Sequence, residues 1–163
     1  MKEAFLHVQL FDAPKEVVFR AFATAEALNA WWGPAETENS VVRLDFRPGG
    51  IFHFKMISGD TVSYGRFHYL RIEPNEMLEF TNAFADAAGK VVPAPFPMPF
   101  PEEIHYRITF AEENGKTRVT LTGRPLNATA EQNGAFRSIE DSMQQGFGST
   151  FHKLVVYLRH KTS

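Results

Sequence analysis

The C-terminal part of the chain carries one apolar stripe, which constrains the fold more than any other feature of the sequence. From about Ala130 the large apolar residues recur at steps of three, four or seven, which places them on one face of a helix. A helix of about thirty residues would be roughly 45 Å long and needs an equally long surface to cover that face. The stripe consists of Phe136, Ile139, Met143, Phe147, Phe151, Leu154 and Leu158.

Two local signals refine this helix. Thr129 with Gln132 three residues later is typical of a capping box, which predicts the start of the helix there. Gly134 weakens the helix locally, so we expect any bend or break near that residue.

Alternation of apolar residues with period two predicts seven strands in the rest of the chain. In the first strand Leu6, Val8 and Leu10 form one strongly apolar face, and we expect a bulge at Gly65 in the fourth. The turns between consecutive strands are short, as at Asn114-Gly115, which favours an antiparallel meander. The predicted strands are residues 4–11, 41–46 (with Val42, Leu44 and Phe46 on one face), 51–57, 61–72, 77–84, 103–111 and 117–123.

Two short helices interrupt the meander after its first strand. Asp12-Ala13-Pro14 predicts the start of one helix, which runs to about Ala23. Thr24 is a typical N-cap for a second helix over residues 25–31, which Gly33-Pro34 ends. These elements together predict an α+β fold, in which a curved antiparallel sheet of six or seven strands wraps around the long C-terminal helix.

Phenylalanine is unusually abundant in this chain. Sixteen Phe, against two Trp and four Tyr, supply more large apolar surface than a minimal core needs. This excess favours a cavity lined by aromatic side chains, although a Phe-rich core without a cavity would have the same composition.

Charge and cysteine content exclude several classes of function. The net charge is −2 and no stretch is basic enough to neutralise a run of phosphates, so we expect no nucleic-acid partner. The absence of cysteine excludes disulfides and thiol catalysis, and it suits the cytoplasm, where we expect the protein. Residues 1–4 lack the apolar core of a signal peptide, and no apolar run approaches the ~20 residues that span a bilayer. We therefore expect neither a leader nor a membrane span.

A series of motifs resembles a known family. The chain is similar to the family named after the activator of a heat-shock-protein ATPase, in the START-like superfamily, which has the helix-grip fold and includes the birch-pollen allergen. The resemblance covers residues 4–158, and we interpret residues 1–163 as one domain. Many relatives carry Trp where Phe147 stands. The motifs are APKEVVFRA at 13–21, WWGP at 31–34, DFRPGG at 45–50, IEP at 72–74 followed by LEFT at 78–81, and QGF at 145–147 followed by Leu154 and Tyr157-Leu158.

The resemblance implies a cavity between the sheet and the long helix, but it does not imply one activity. Members of the superfamily bind lipids, steroids or polyketides, and a few catalyse cyclisation or ring chemistry. We therefore predict binding of a hydrophobic or amphipathic small molecule. The alternatives are a co-chaperone that stimulates a heat-shock-protein ATPase and an enzyme of the polyketide cyclase or aromatase type. The co-chaperone ranks lower because the eukaryotic activator carries an additional N-terminal domain, for which we expect no room in this chain.

The candidate ligand-binding residues are aromatic residues and methionines on faces that should oppose each other across the cavity. Flexible, polarisable methionine suits varied apolar ligands, although the same residues could instead pack directly on one another. The adjacent Trp31 and Trp32 point about 100° apart on a helix, so we expect one to anchor the helix and the other to face the cavity mouth, unless both are anchors. The candidates are Trp31, Trp32, Phe46, Phe52, Phe54, Met56, Phe80, Phe96, Met98, Phe100, Phe136, Met143 and Phe147.

The segment 91–101 reads VVPAPFPMPFP, and its five prolines exclude a central strand. Exposing Phe96, Met98 and Phe100 would cost about 1.5–3 kcal/mol each, so these side chains must cover something. We predict a lid over the cavity, with a homodimer contact as the alternative.

Signals for catalysis are weak. An enzyme would need a general acid or base in the cavity, for which the candidates are His53, Tyr69, Glu79 and His105. The six histidines lack ligand spacing, and the sequence contains no nucleophile motif, phosphate loop or dinucleotide fingerprint. We therefore predict no cofactor and no metal, and favour binding over catalysis. The expected partner is an apolar small molecule, with a second copy of the chain or a chaperone as the alternatives.

Overall fold

In the computed structural model, which describes residues 5–162, an antiparallel sheet curves around the C-terminal helices. This arrangement confirms the predicted α+β helix-grip fold, and Ala4 of the predicted first strand lies outside the described residues. The strands are β1 Phe5–Phe11, β2 Glu38–Leu44, β3 Ile51–Ser58, β4 Thr61–Glu73, β5 Met77–Ala85, β6 Val91–Val92, β7 Ile104–Glu113 and β8 Lys116–Pro125. The helices are α1 Lys15–Arg20, α2 Ala25–Trp31, α3 Ala130–Ser138 and α4 Glu140–Thr162.

The sheet has the strand order β1-β8-β7-β5-β4-β3-β2, and every pair of neighbouring strands is antiparallel. The short β6 pairs with β5 and stands off this path. We predicted no strand in this segment. Val91 and Val92 precede its first proline and keep both backbone donors, which explains why pairing stops there.

The first helix is shorter than predicted, because it ends at Arg20 instead of continuing to about Ala23. The amides of Ala21 and Ala23 donate to carbonyls three residues earlier, at 3.1 and 3.0 Å. Such bonds tighten the last turn and redirect the chain. Thr24 then caps α2, as predicted, by accepting the amide of Ala27 at 3.2 Å.

The second strand is displaced from its predicted position at 41–46. Only some of its side chains point to the predicted face. Pairing with β3 begins at Glu38 and ends at Leu44, because the following residues form the turn into β3. A bulge between Val41 and Arg43 shifts the register, so Val41 and Leu44 pack against the core whereas Val42 is exposed.

The bulge in β4 lies between Tyr69 and Arg71, so the prediction of a bulge at Gly65 was wrong. Gly65 pairs in register with Phe54, whose ring covers it. The glycine therefore serves the close approach of an aromatic ring, and no extra residue is inserted there.

The predicted C-terminal helix forms as α3 and α4, which break at Ile139 and not near Gly134. The capping box is confirmed, since Thr129 accepts the amide of Gln132 at 3.1 Å and Gln132 accepts the amide of Thr129 at 2.9 Å. The Ile139 amide donates to Phe136 at 3.3 Å, a bond over three residues that tightens the end of α3. Gly134 stays helical because one glycine costs only about 1 kcal/mol.

The first strand turns its larger residues inward. Phe5 and Phe11 are buried, and Phe11 meets Phe151 of α4 with ring centroids 5.8 Å apart. The apolar face formed by Leu6, Val8 and Leu10 is exposed instead.

Candidate functional site

A pocket of about 290 Å³ lies between the concave face of the sheet and the α3–α4 break. This volume is close to the lower end of the range for small-molecule sites. Eight of the candidate residues contribute to its wall. They are Trp32, Phe54, Met56, Phe96, Phe100, Phe136, Met143 and Phe147.

Two glycines shape the sheet side of the pocket. A Cβ atom at Gly65 would lie 2.6 Å from the ring of Phe54, and one at Gly123 would lie 2.4 Å from the ring of Tyr106. Because the glycine has no side chain, each ring can lie directly against the neighbouring strand, close to the surface of the sheet. The space above these two rings remains free for a ligand.

The helical side of the pocket depends on the break at Ile139. The buried Phe136 comes from α3, whereas Met143, Phe147 and Thr150 come from α4, so two helix directions meet over the space. Gly146 also lies on the wall, and no other atom approaches its Cβ position within 4 Å. The glycine leaves room where a larger side chain would project between Met143 and Thr150.

The two adjacent tryptophans have different surroundings. Trp31 is fully buried, and its Nε1 donates to the carbonyl of Ala21 at 2.8 Å, which anchors α2. Trp32 lies on the pocket wall, with its ring centroid 5.1 Å from that of Phe67 and 5.6 Å from that of Phe54. Trp31 thus anchors the helix and Trp32 faces the pocket, but Trp32 also borders the smaller inner cavity and so does not lie at the cavity mouth, where we expected it.

The proline-rich segment contributes two of its three large apolar side chains to the wall. Phe96 packs edge-on against Phe84 at 5.7 Å and against Phe100 at 5.0 Å. Gln132 of α3 donates to the carbonyl of Phe100 at 3.4 Å and so ties the segment to the helix. Met98 is 37% exposed and does not line the pocket. Whether the segment acts as a lid or as a dimer contact stays a prediction.

The other candidate residues lie away from this wall. Trp31 and Phe52 are fully buried in the core, and Phe46 packs between Phe19 and Tyr69 at centroid distances of 6.0 and 5.1 Å. Phe80 borders a smaller inner cavity, and Met98 is partly exposed as described above. A role in ligand contact stays a prediction for every candidate residue.

The sequence analysis missed several polar residues of the wall. Asn82 has the same parity on β5 as Phe80 and Phe84, and Tyr106 has the same parity on β7 as Ile104. A polar residue within an apolar alternation was the signal that could have identified Asn82. Of the other two, Glu102 lies in a loop and offers no such periodicity, and Thr150 lies on α4 three residues after Phe147.

The pocket is almost uncharged. Among the wall residues that the structure describes, Glu102 is the one charged side chain. Burial raises the pKa of the Tyr106 hydroxyl, which therefore stays protonated at neutral pH. The Thr150 hydroxyl donates to the carbonyl of Gly33 at 3.0 Å, which satisfies its proton within the protein. The site can thus bind an apolar ligand and form a few hydrogen bonds with it. It offers little stabilisation to a charged ligand.

None of the four candidate catalytic residues lies on the pocket wall. His105 and Glu79 alternate with inward-facing residues and meet on the opposite face of the sheet, where Nε2 and Oε2 are 2.6 Å apart. His53 is also on that face and bonds the carbonyl of Asp86 at 3.0 Å, whereas Tyr69 is buried in the core.

Within residues 5–162 no three His, Cys, Asp or Glu side chains cluster as metal ligands would. No helix in the same part of the chain combines the length and the apolar character that crossing a membrane requires.

The curved sheet, the long C-terminal helix and the apolar space between them define a helix-grip protein. The chain belongs to the family described as activator of Hsp90 ATPase homolog 1-like protein, whose model matches residues 12–159. The family resemblance of the sequence motifs is thereby confirmed. No curated protein matches the chain in sequence.

Solved structures share the fold at low sequence identity. A protein from Staphylococcus epidermidis is 24% identical, with a TM-score of 0.79 over 100% of this chain and 93% of that chain. One from Mycobacterium smegmatis is 24% identical, with a TM-score of 0.75 over 94% and 88% of the two chains. An AHSA1 protein from Silicibacter pomeroyi is 19% identical, with a TM-score of 0.71 over 97% and 99%. At these identities the likeness concerns the fold alone.

Proposed function

We propose that this protein binds a hydrophobic or amphipathic small molecule in the pocket between the sheet and the C-terminal helices. The observation that carries the proposal is the pocket itself, about 290 Å³ in volume and lined by aromatic side chains and methionines from both sides. Binding sites for small molecules are mostly apolar with a few placed polar groups, as this wall is. We also propose a cytoplasmic location, which suits a chain without cysteine.

Two glycines on α4 allow a matched test of this proposal. Gly146 lies on the pocket wall and Gly148 does not, and neither has another atom within 4 Å of its Cβ position. The variants Gly146→Leu and Gly148→Leu therefore raise helix propensity equally, by about 0.8–1 kcal/mol. Only the first adds a side chain to the pocket.

The measurement is a fluorescence titration with N-phenyl-1-naphthylamine, an uncharged probe whose emission rises in apolar surroundings. We expect wild type and Gly148→Leu to bind the probe equally. Gly146→Leu should bind it at least about tenfold more weakly, which corresponds to a loss of about 1.4 kcal/mol in binding free energy. Native mass spectrometry of gently purified protein would report a copurified ligand. Equal binding by all three proteins would contradict the proposed site.

A co-chaperone role is the second candidate, and the description of the matched family favours it. Its test is the ATP turnover of an Hsp90-type chaperone from the same host, with and without this protein. Unchanged turnover would exclude the role. A cyclase-type enzyme has less support, because its candidate residues lie away from the pocket wall.

A further inference from the structure

The pocket has a smaller neighbour deeper in the core. This inner cavity measures about 20 Å³ and borders core residues such as Phe80 and Leu121. A cavity of roughly 10–15 Å³ already admits one water, so the inner cavity suits a single oxygen atom. Trp32, Asn82, Tyr106 and Phe147 line both spaces, and the first three of these side chains carry hydrogen-bonding groups.

Each of these three side chains has unused hydrogen-bonding capacity. Tyr106 is 5% exposed, and its hydroxyl has no hydrogen-bond partner among residues 5–162. The Trp32 Nε1 is buried without a partner in the same range. Asn82 donates from Nδ2 to the carbonyl of Arg66 at 3.1 Å, while its Oδ1 accepts nothing from the described residues. A buried polar group without a partner is rare in folded proteins, so the Trp32 Nε1, with two further unpaired polar groups on the same wall, calls for a functional explanation.

The charges around the pocket limit the kind of ligand that these groups can receive. No described wall residue of either space is cationic, and Glu102 is the one anionic residue. A carboxylate placed at the inner end would be buried without a counter-charge, which is strongly unfavourable. A neutral oxygen avoids this cost and accepts hydrogen bonds from Tyr106 and Trp32, whereas the Asn82 Oδ1 can only accept and would pair with a ligand hydroxyl.

We propose that Trp32, Asn82 and Tyr106 form a polar subsite at the inner end of the pocket, and that the ligand is an uncharged apolar molecule with one oxygen there, such as a ketone, ester or phenol. This inference rests on the proposed function, because it names the chemistry of the molecule that the same pocket holds. The apolar body of the ligand lies outward from the subsite, toward Phe96 and Phe100.

Three naphthalene probes of closely similar size and shape test this subsite. They are 2-acetylnaphthalene, 2-isopropenylnaphthalene and 2-naphthoate, which present a ketone, a carbon-only group and a carboxylate at the same position. The measured quantity is the Kd of each probe at neutral pH. We use the ratio of alkene Kd to ketone Kd, because this ratio cancels changes in pocket shape that affect both probes alike.

The variants Tyr106→Phe and Trp32→Phe remove a donor and keep an aromatic ring. Tyr69→Phe is the matched control, because Tyr69 is also buried, with no hydroxyl partner in the described range, yet lines neither space. We expect the ratio to fall about fivefold in each of the first two variants, in line with the loss of one hydrogen bond, and to stay unchanged in the control. In wild type we expect 2-naphthoate to bind at least about tenfold more weakly than the ketone.

The outcomes separate the subsite from the pocket. If all four proteins bind both neutral probes with the same ratio, or if 2-naphthoate binds as well as the ketone, the subsite is overturned and the apolar pocket stands. If wild type binds no probe, the proposed function fails as well. Thermal unfolding reports whether each variant is folded. If Trp32→Phe does not fold, the ratio measured for Tyr106→Phe decides whether the subsite exists.

Discussion

The two ends of the space between sheet and helix are built from the same kinds of residue but are filled differently. At the closed end, Phe151 of α4 is 1% exposed and its ring lies 5.8 Å from Phe11 and 6.0 Å from Trp31. At the open end, Phe147, one turn earlier, borders the pocket. Phe22, in the turn between α1 and α2, and Trp31 of α2 fill the closed end. The open end is covered by a proline-rich segment and a helix break, which cannot interlock with the sheet in the same way.

This contrast teaches that the content of phenylalanine does not decide whether a space closes. A well-packed core needs facing elements whose side chains interdigitate, and α2 supplies such an element at one end only. The predictions that follow compare the two ends, from the largest expected effect to the smallest.

Truncation of a phenylalanine on α4 should cost more at the closed end. Phe151→Ala should lower the free energy of unfolding by about 3–5 kcal/mol, because Phe151 is 1% exposed and borders only the small inner cavity of about 20 Å³, so its loss opens a much larger one. Phe147→Ala should cost less, about 2 kcal/mol, because its side chain already borders free space. Urea denaturation of the two variants measures the difference. Equal losses would mean that the two ends are packed alike.

A methyl group beneath a pocket ring should affect both stability and binding. Gly123→Ala places a Cβ 2.4 Å from the Tyr106 ring, and such overpacking costs about 1–3 kcal/mol. The displaced ring should also enter the pocket and weaken N-phenyl-1-naphthylamine binding. Gly134→Ala is the control, since no other atom lies within 4 Å of its Cβ position and helix propensity favours alanine by about 1 kcal/mol. A destabilised control or an unaffected Gly123→Ala would contradict this reading of the glycines.

Loss of a helix cap should distinguish the two ends by its effect on binding. Thr129→Ala and Thr24→Ala each remove an N-cap hydrogen bond and should each cost about 1 kcal/mol in thermal unfolding. Thr129→Ala loosens α3, which carries Phe136 and ties down Phe100 through Gln132, so probe affinity should fall. Thr24→Ala frays the opposite end of α2 from Trp32 and should leave the affinity unchanged. A loss of affinity in both variants, or in neither, would contradict this distinction.

Periodicity predicted most elements of this protein. It failed to predict which face turns inward where one residue shifts the register, and also in β1, whose apolar face is exposed without a register shift. The bulge between Val41 and Arg43 turned Val42 outward, and the bulge beyond Tyr69 replaced the one expected at Gly65. The alternation of residues in the sequence does not show where a bulge inserts an extra residue. Beyond a bulge, it therefore does not predict which side chains point toward the core. The prediction of the site was also incomplete. Asn82 follows the inward parity of β5, but it was not predicted as a wall residue because it is polar.

The sequence by itself determined the order and type of the elements, the family and the capping of α3, because these depend on neighbours along the chain. The tertiary structure decided which phenylalanines close a core and which border a space. It also placed Trp32 at the end of α2, Asn82 of β5 and Tyr106 of β7 on the walls of the same two spaces. The physical reason is that packing and unpaired polar groups depend on what lies opposite each residue across the fold. Only the curvature of the sheet and the break at Ile139 set those distances.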